Sequence, residues 1–203
     1  MQTKKQFCLT LALCCAMGLA LLPPASHANV QGSRYVGRNI TGTVVGVGGR
    51  LGGRSRTFRL IVERYTSPEE VKRLNAALQS GGQDELLQVL SKMSAGRIQV
   101  GTGVGVPANV IIPTELAEGG TKLVVLFQRN VNFYELRSGA RSEDYKFGYA
   151  ELHLGRRGGN EGTFIAAAKL RLRDGNTWVV EDFGEFPARL MGLQARGGGG
   201  TAR

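Results

Sequence analysis

Apolar and polar residues alternate along most of the chain after residue 38, which is the pattern of β-strands with one buried face. The first two alternating runs, Asn39 to Val47 and Thr57 to Tyr65, are joined by a glycine-dense turn and predict a hairpin. After residue 96 the period of two continues almost to the C-terminus, and Asp174-Gly175-Asn176 is its strongest hairpin turn. This part of the chain predicts further strands near residues 97–104, 107–113, 121–128, 131–137, 145–154, 162–173, 176–183 and 188–194.

Between these two sets of strands the apolar residues follow a helical period. The segment Ser67-Pro68-Glu69-Glu70 is a capping box with proline at the first helical position. Apolar residues follow it at helical spacing, and Gly81-Gly82 predicts the end of this helix. A second helix is predicted over residues 84–95, with its apolar residues along one face. Together the two helices predict an αα-hairpin.

The order of these elements predicts the α+β class. We expect an antiparallel β-meander, as a curled sheet or partial barrel, with one αα-hairpin inserted after the first two strands. The run Leu123 to Phe127 is apolar on both faces, which predicts a central strand covered by the helices. We expect one domain over residues 29–196 and a flexible glycine-rich tail over residues 197–203.

Residues 1–28 have the features of a secretory signal peptide. Two lysines precede the apolar stretch Cys8 to Leu22, and Ser26-His27-Ala28 places small residues before a cut at Asn29. The stretch is shorter than the roughly 20 apolar residues that a membrane-spanning helix needs. We therefore expect a bacterial protein that is periplasmic or secreted, without a transmembrane span in its mature form. The alternative is that this segment stays in place as an anchor.

Cleavage at this point would remove every cysteine side chain from the protein. All three cysteines lie before Asn29, so the mature chain could form no disulfide, thiol nucleophile or cysteine-based zinc site. The sequence also lacks the helical zinc motif, the calcium-binding loop and the common serine nucleophile motifs. Its glycine runs at residues 46–49 and 101–105 do not lead into a helix, as phosphate-binding loops do. We expect no cofactor and no metal ion.

One group of residues could perform acid–base chemistry. Alternation places Tyr149, Glu151 and His153 on the same face of one predicted strand, with His153 the only histidine of the mature chain. The simpler interpretation is a solvated strand face, because a lone histidine has no orienting partner at a recognisable spacing. We expect a protein that is not an enzyme, and these three residues are the alternative.

Positive charge is the stronger chemical signal, since 26 Lys and Arg residues stand against 16 Asp and Glu residues. Arginine side chains suit phosphate and carboxylate groups, such as those of lipid headgroups or acidic polysaccharides. Nucleic acid is disfavoured by the expected export and by the lack of interleaved aromatic and basic residues. The alternative is that these charges only solvate the surface. The candidate anion-binding residues are Arg50, Arg54 and Arg56 in the first turn, and Lys169, Arg171 and Arg173 on one face of a later strand.

Several segments resemble a group of uncharacterised exported bacterial proteins. They are Glu161 to Lys169, Trp178 to Gly184 and Pro187 to Leu190. The resemblance implies one exported domain and supplies no catalytic residue. We therefore expect a non-enzymatic binding or envelope-associated protein. Its partner would be either a small apolar ligand between the sheet and the helices at residues 67–95, or an anionic envelope component at the arginines.

Overall fold

The computed structural model of the chain describes residues 34–48, 52–117, 119–129, 144–155, 160–184 and 186–197. The segment expected to direct export, the strand expected near residues 131–137 and residues 198–203 of the expected tail lie outside the described residues. The elements in chain order are β1 Arg38–Gly46, β2 Ser55–Val62, α1 Pro68–Leu90, β3 Gly96–Val100, β4 Val106–Ala108, β5 Val110–Glu115, β6 Gly120–Gln128, β7 Phe147–Gly155, β8 Glu161–Arg173, β9 Thr177–Phe183 and β10 Ala188–Gly197.

The strands form one antiparallel sheet that is nearly closed into a barrel. Its order is β4-β3-β2-β1-β10-β8-β7-β6-β5, and β9 pairs only with β8. A single residue, Asn109, separates β4 from β5, although β4 pairs with β3 and β5 pairs with β6. The two edge strands of the sheet, β4 and β5, are therefore two halves of one nearly continuous extended segment. The expected curled sheet or partial barrel is confirmed at this level.

The side chain of Asn109 joins the two halves at this closure. It is 3% exposed, donates a hydrogen bond to the carbonyl of Met93 over 2.8 Å and accepts one from the backbone N–H of Gln128 over 2.8 Å. The neighbouring backbone N–H of Ala95 donates to the carbonyl of Ala108 over 2.8 Å. Polar groups at the seam are thereby paired without a further strand.

Two apolar clusters fill the molecule, one on each face of the sheet. The interior cluster takes residues from every strand of the barrel, as alternation on β7 illustrates with Ala150, Leu152 and Leu154. The second cluster lies on the outer face, where leucines of α1 pack against Leu126 and Ile165. The sheet is covered on both faces in this region, which agrees with the apolar run of β6.

The helical region differs from the expected αα-hairpin. The predicted capping box is present, with Ser67 and Glu70 bonding each other's backbone N–H. The expected αα-hairpin is wrong, because one helix runs from Pro68 to Leu90, but the expected interruption is present as a kink at Gly82. Only Gly82 leaves the helical conformation (φ 64°, ψ −146°), which glycine adopts at little cost. The next residue, Gln83, binds both the N–H and the carbonyl of Leu170 in β8, and so holds the second half against the sheet.

No helix in the described part of the chain combines the length and hydrophobicity needed to cross a bilayer.

Strand β8 has two successive partner strands along one of its edges. On one side it pairs with β7 along Glu161 to Ala168, whereas on the other it pairs first with β10 and then with β9. The pairing with β10 covers only residues 162–164, and the pairing with β9 begins at Ala168. Between them, the described residues give one backbone hydrogen bond, from the N–H of Gly184 to the carbonyl of Ala167 over 2.9 Å. The partner strand of β8 therefore changes from β10 to β9 around residues 165–167, a place that we call the fork of β8.

Candidate functional site

A cavity of about 430 Å³ opens beside the fork of β8. Its inner wall is apolar and includes Val44, Phe164, Ala166 and Ala188, three of which also belong to the interior cluster. This volume lies within the range of small-molecule sites. Because the first turn and the loop after β3 also border the cavity, we call this region the open end of the barrel.

Local sequence explains why space remains here. The alanines of β8 and β10 leave room that larger side chains would fill, and Gly101 and Gly103 contribute only backbone. Phe164 is held in the wall because its ring stacks on Phe127, with ring centroids 6.0 Å apart. The cavity is thus bounded by groups that are fixed by the packed core.

The loop after β3 is also held in place. Thr57 and Gly101 share two hydrogen bonds: the backbone N–H of Gly101 donates to the carbonyl of Thr57 over 2.8 Å, and the Thr57 hydroxyl donates to the carbonyl of Gly101 over 3.2 Å. The side-chain amide of Gln99 donates to the carbonyl of Gly103. These bonds preorganise the edge of the cavity, which lowers the cost of ordering on binding.

Two arginines complete the cavity at its solvent side. Arg54 and Arg56 are exposed at the start of β2, and both line the cavity. Within the described ranges no carboxylate pairs with either guanidinium. An apolar wall beside two uncompensated cations suits a ligand with an apolar body and an anionic group.

The other candidate anion-binding residues are not part of this cavity. Arg50 lies outside the described residues. Lys169 faces a separate polar depression and pairs with Glu181 over 3.4 Å, while Arg171 and Arg173 are exposed further along β8. Alternation places these three cations on one face of β8, and Lys169 already has an acidic partner.

Leucines of α1 occupy the interface between the sheet and the helical region, where a ligand was expected. Leu74, Leu86 and Leu90 of α1 are fully buried there against β6, β7 and β8. The apolar cavity described above lies at the open end of the barrel instead.

The acid–base candidates do lie together, on the outer face of β7. The Tyr149 hydroxyl donates to Glu151 Oε2 over 2.7 Å, and His153 Nε2 lies 2.8 Å from Glu151 Oε1. Lys122 of β6 brings its Nζ within 3.9 Å of the same carboxylate. Glu151 is therefore the centre of a small polar network at the edge of the helix-covered face.

The network alters the ionisation of two of its members. Burial, followed by the hydrogen bond to Glu151, raises the pKa of Tyr149 far above its usual value. Burial also works against ionisation of Glu151, but hydrogen bonds from Tyr149 and His153 and the charge of Lys122 outweigh it and lower the pKa of Glu151. The carboxylate is thus held ionised, and it orients the imidazole of His153.

This arrangement has the geometry of an imidazole oriented by a carboxylate. An imidazole oriented by a carboxylate could accept a proton at its other nitrogen, as in hydrolases. The residues paired across from Glu151 and His153 on β8 are Thr163 and Glu161, both exposed on the open sheet face. Within the part of the chain that the structure describes, no group of three or more His, Cys, Asp or Glu side chains could hold a metal ion.

Two parts of the cavity have no signal in the sequence. Phe186 lies in the connection between β9 and β10, and the fork of β8 depends on pairing between distant segments. The arginines of the first turn were predicted by their charge, whereas the apolar wall beside them was not.

The chain matches no protein-family model, no curated protein and no solved structure.

Proposed function

We propose that this chain is an exported, non-enzymatic binding protein that takes a small amphiphilic anion at the open end of the barrel. The observation that carries the proposal is the apolar cavity of about 430 Å³ with Arg54 and Arg56 at its solvent side. Export by cleavage before Asn29 is part of the proposal. The intact mass of protein purified from a bacterial envelope fraction tests it, since a retained leader would contradict cleavage.

Two kinds of contact support such a ligand. Each Å² of apolar surface removed from water is worth about 25 cal/mol, so an acyl chain or ring system would gain from the wall around Phe164 and Ala166. A carboxylate or phosphate would gain charge-assisted hydrogen bonds from the guanidinium groups of Arg54 and Arg56. The described residues that line the cavity include no Asp, Glu or His, so they favour binding over proton transfer.

The test is a titration with a fluorescent long-chain fatty acid. Ala166→Phe adds a ring inside the cavity, and we expect it to weaken binding at least tenfold. Thr163→Phe adds the same ring to the same strand at an exposed position outside the cavity, and it should leave binding unchanged. Thermal unfolding of both variants controls for folding. Equal affinity in wild type and Ala166→Phe, or no saturable binding in the wild type, would overturn the proposal.

The second candidate function is an enzyme that uses the Glu151–His153 pair, with Tyr149 and Lys122 beside it. It is favoured by the hydrogen bonds that Glu151 makes to both neighbours. We expect His153→Ala to fold with nearly wild-type stability and to retain fatty acid binding. Activity on chromogenic ester, glycoside or phosphate substrates that the wild type has and His153→Ala lacks, with folding intact, would favour the enzyme.

A further inference from the structure

The large apolar side chains that remain exposed are not distributed evenly. Five stand out among the described residues, namely Val47, Val104, Phe183, Phe186 and Met191. All except Met191 belong to the segments that surround the open end of the barrel. The most exposed are Val104 at 88%, Val47 at 65% and Phe186 at 62%. Exposed apolar groups that gather at one place mark an interaction site, whereas scattered ones need no explanation.

Neighbouring residues fix the positions of these side chains. Val47 follows Gly46 and Val104 follows Gly103, and both glycines line the cavity. Phe186 lines the cavity itself, and its ring lies 3.4 Å from the position that a Cβ on Gly48 would occupy. The rings of Phe183 and Phe186 are 6.2 Å apart. Three separate connections therefore bring apolar side chains to the same end of the barrel.

Positive charge accompanies these apolar groups. Arg54 and Arg56 line the same cavity, and within the described ranges no carboxylate pairs with either. The whole chain carries a formal net charge of +10. Binding to an anionic membrane surface is strengthened both by apolar side chains that enter it and by basic side chains that its lipids attract.

We propose that the open end of the barrel docks on the surface of an anionic lipid bilayer. Val47, Val104 and Phe186 enter the layer beneath the headgroups, while Arg54 and Arg56 bind lipid phosphates. Charge complementarity selects this occupant, and single apolar side chains on separate loops fit a deformable lipid surface. The inference goes beyond the proposed function, because docking requires no ligand in the cavity. Docking would also turn the cavity toward the lipid phase, so that the proposed ligand could enter it from the bilayer.

Vesicle sedimentation tests the inference on the mature chain. We expect binding to phosphatidylcholine vesicles that contain phosphatidylglycerol, weak binding to phosphatidylcholine alone, and a loss of binding as salt is raised. The double substitution Arg54→Ser/Arg56→Ser should reduce partitioning about 30-fold, which corresponds to about 1 kcal/mol per arginine near an anionic surface. The matched control is Arg38→Ser/Arg196→Ser, which removes two exposed cations at the other end of β1 and β10.

A second pair of variants tests the apolar contribution. Phe186→Asp should weaken binding to the anionic vesicles at least tenfold, whereas Met191→Asp, at an exposed residue of β10, should reduce it far less. Absence of binding to anionic vesicles, or equal losses in each variant and its control, would overturn the inference. Ala166→Phe alters the cavity without changing the exposed side chains, and it should still sediment with vesicles. Failure of docking and failure of ligand binding are therefore distinguishable.

Discussion

The closure of the barrel depends on Asn109, and Asn109→Asp tests that dependence with a change of almost no volume. The native side chain donates to the carbonyl of Met93 and accepts from the N–H of Gln128, each over 2.8 Å, at 3% exposure. The introduced carboxylate can still accept from Gln128. It has no proton for Met93, so two oxygen atoms would face each other in a buried site.

The expected loss of stability follows from these contacts. An unpaired buried carbonyl costs about 1–3 kcal/mol, and a buried charge without a counter-ion brings the total to roughly 3–5 kcal/mol at neutral pH. Domains of this size are stable by about 5–15 kcal/mol, so the variant should lose a large share of its stability. A protonated carboxyl group could donate to Met93, so folding raises the pKa of the introduced group. The loss should therefore be smallest at acidic pH and should grow as pH rises through the folded-state pKa.

Urea unfolding of the mature chain measures this loss. Trp178 is the chain's single tryptophan, and its indole N–H donates to Asn75 of α1, so its fluorescence reports contact between helix and sheet. The comparison variant Asn109→Ala removes both hydrogen bonds and introduces no charge, so its deficit relative to wild type should depend little on pH. The reasoning would be refuted if Asn109→Asp were within about 0.5 kcal/mol of the wild type at pH 7.

Three further predictions concern stability. Gly148→Ala should cost about 1–3 kcal/mol in urea unfolding, because the ring of Phe127 lies 2.0 Å from the position that the new Cβ would take; an unchanged midpoint would show that the ring moves freely. Thr121→Val should instead stabilise the protein by about 1 kcal/mol, since the buried hydroxyl of Thr121 has no hydrogen-bond partner among the described residues; a lower melting temperature would contradict this. The hydrogen bonds from Arg64 and the N-cap backbone lower the pKa of Glu70, so their contribution is present above the unfolded-state pKa and is lost as pH falls through the folded-state value. The variant Glu70→Gln should therefore lose less stability than the wild type on acidification, and parallel losses would argue against it.

Sequence reasoning worked where neighbouring residues decide the conformation. The capping box at Ser67 and the turn at Asp174-Gly175 are both present, the latter with φ angles of 53° and 71° that define a tight hairpin. Alternation also placed Glu151 and His153 on one face, and the structure adds the hydrogen bond between them. These features require only short-range information.

Prediction from the sequence was less successful where contacts between distant segments decide the conformation. The glycines at 81 and 82 predicted the interruption of the helix, whereas its continuation as one kinked element involves Gln83, which bonds Leu170 of β8, a residue far away in sequence. Pairing of β1 with β10, which joins the first and last strands of the chain, is also invisible to periodicity. The cavity follows from this topology and from the fork of β8, so its apolar wall could not be expected from composition.

The central claim is that the open end of the barrel holds an amphiphilic ligand. Comparison of native and denaturing mass spectra, for protein saturated with a long-chain fatty acid, tests it most directly. We predict one bound fatty acid that survives in the native spectrum of the wild type, is lost on denaturation, and is missing from Ala166→Phe but present in Thr163→Phe. A wild type that retains no fatty acid, or an Ala166→Phe variant that retains as much as the wild type, would contradict the account.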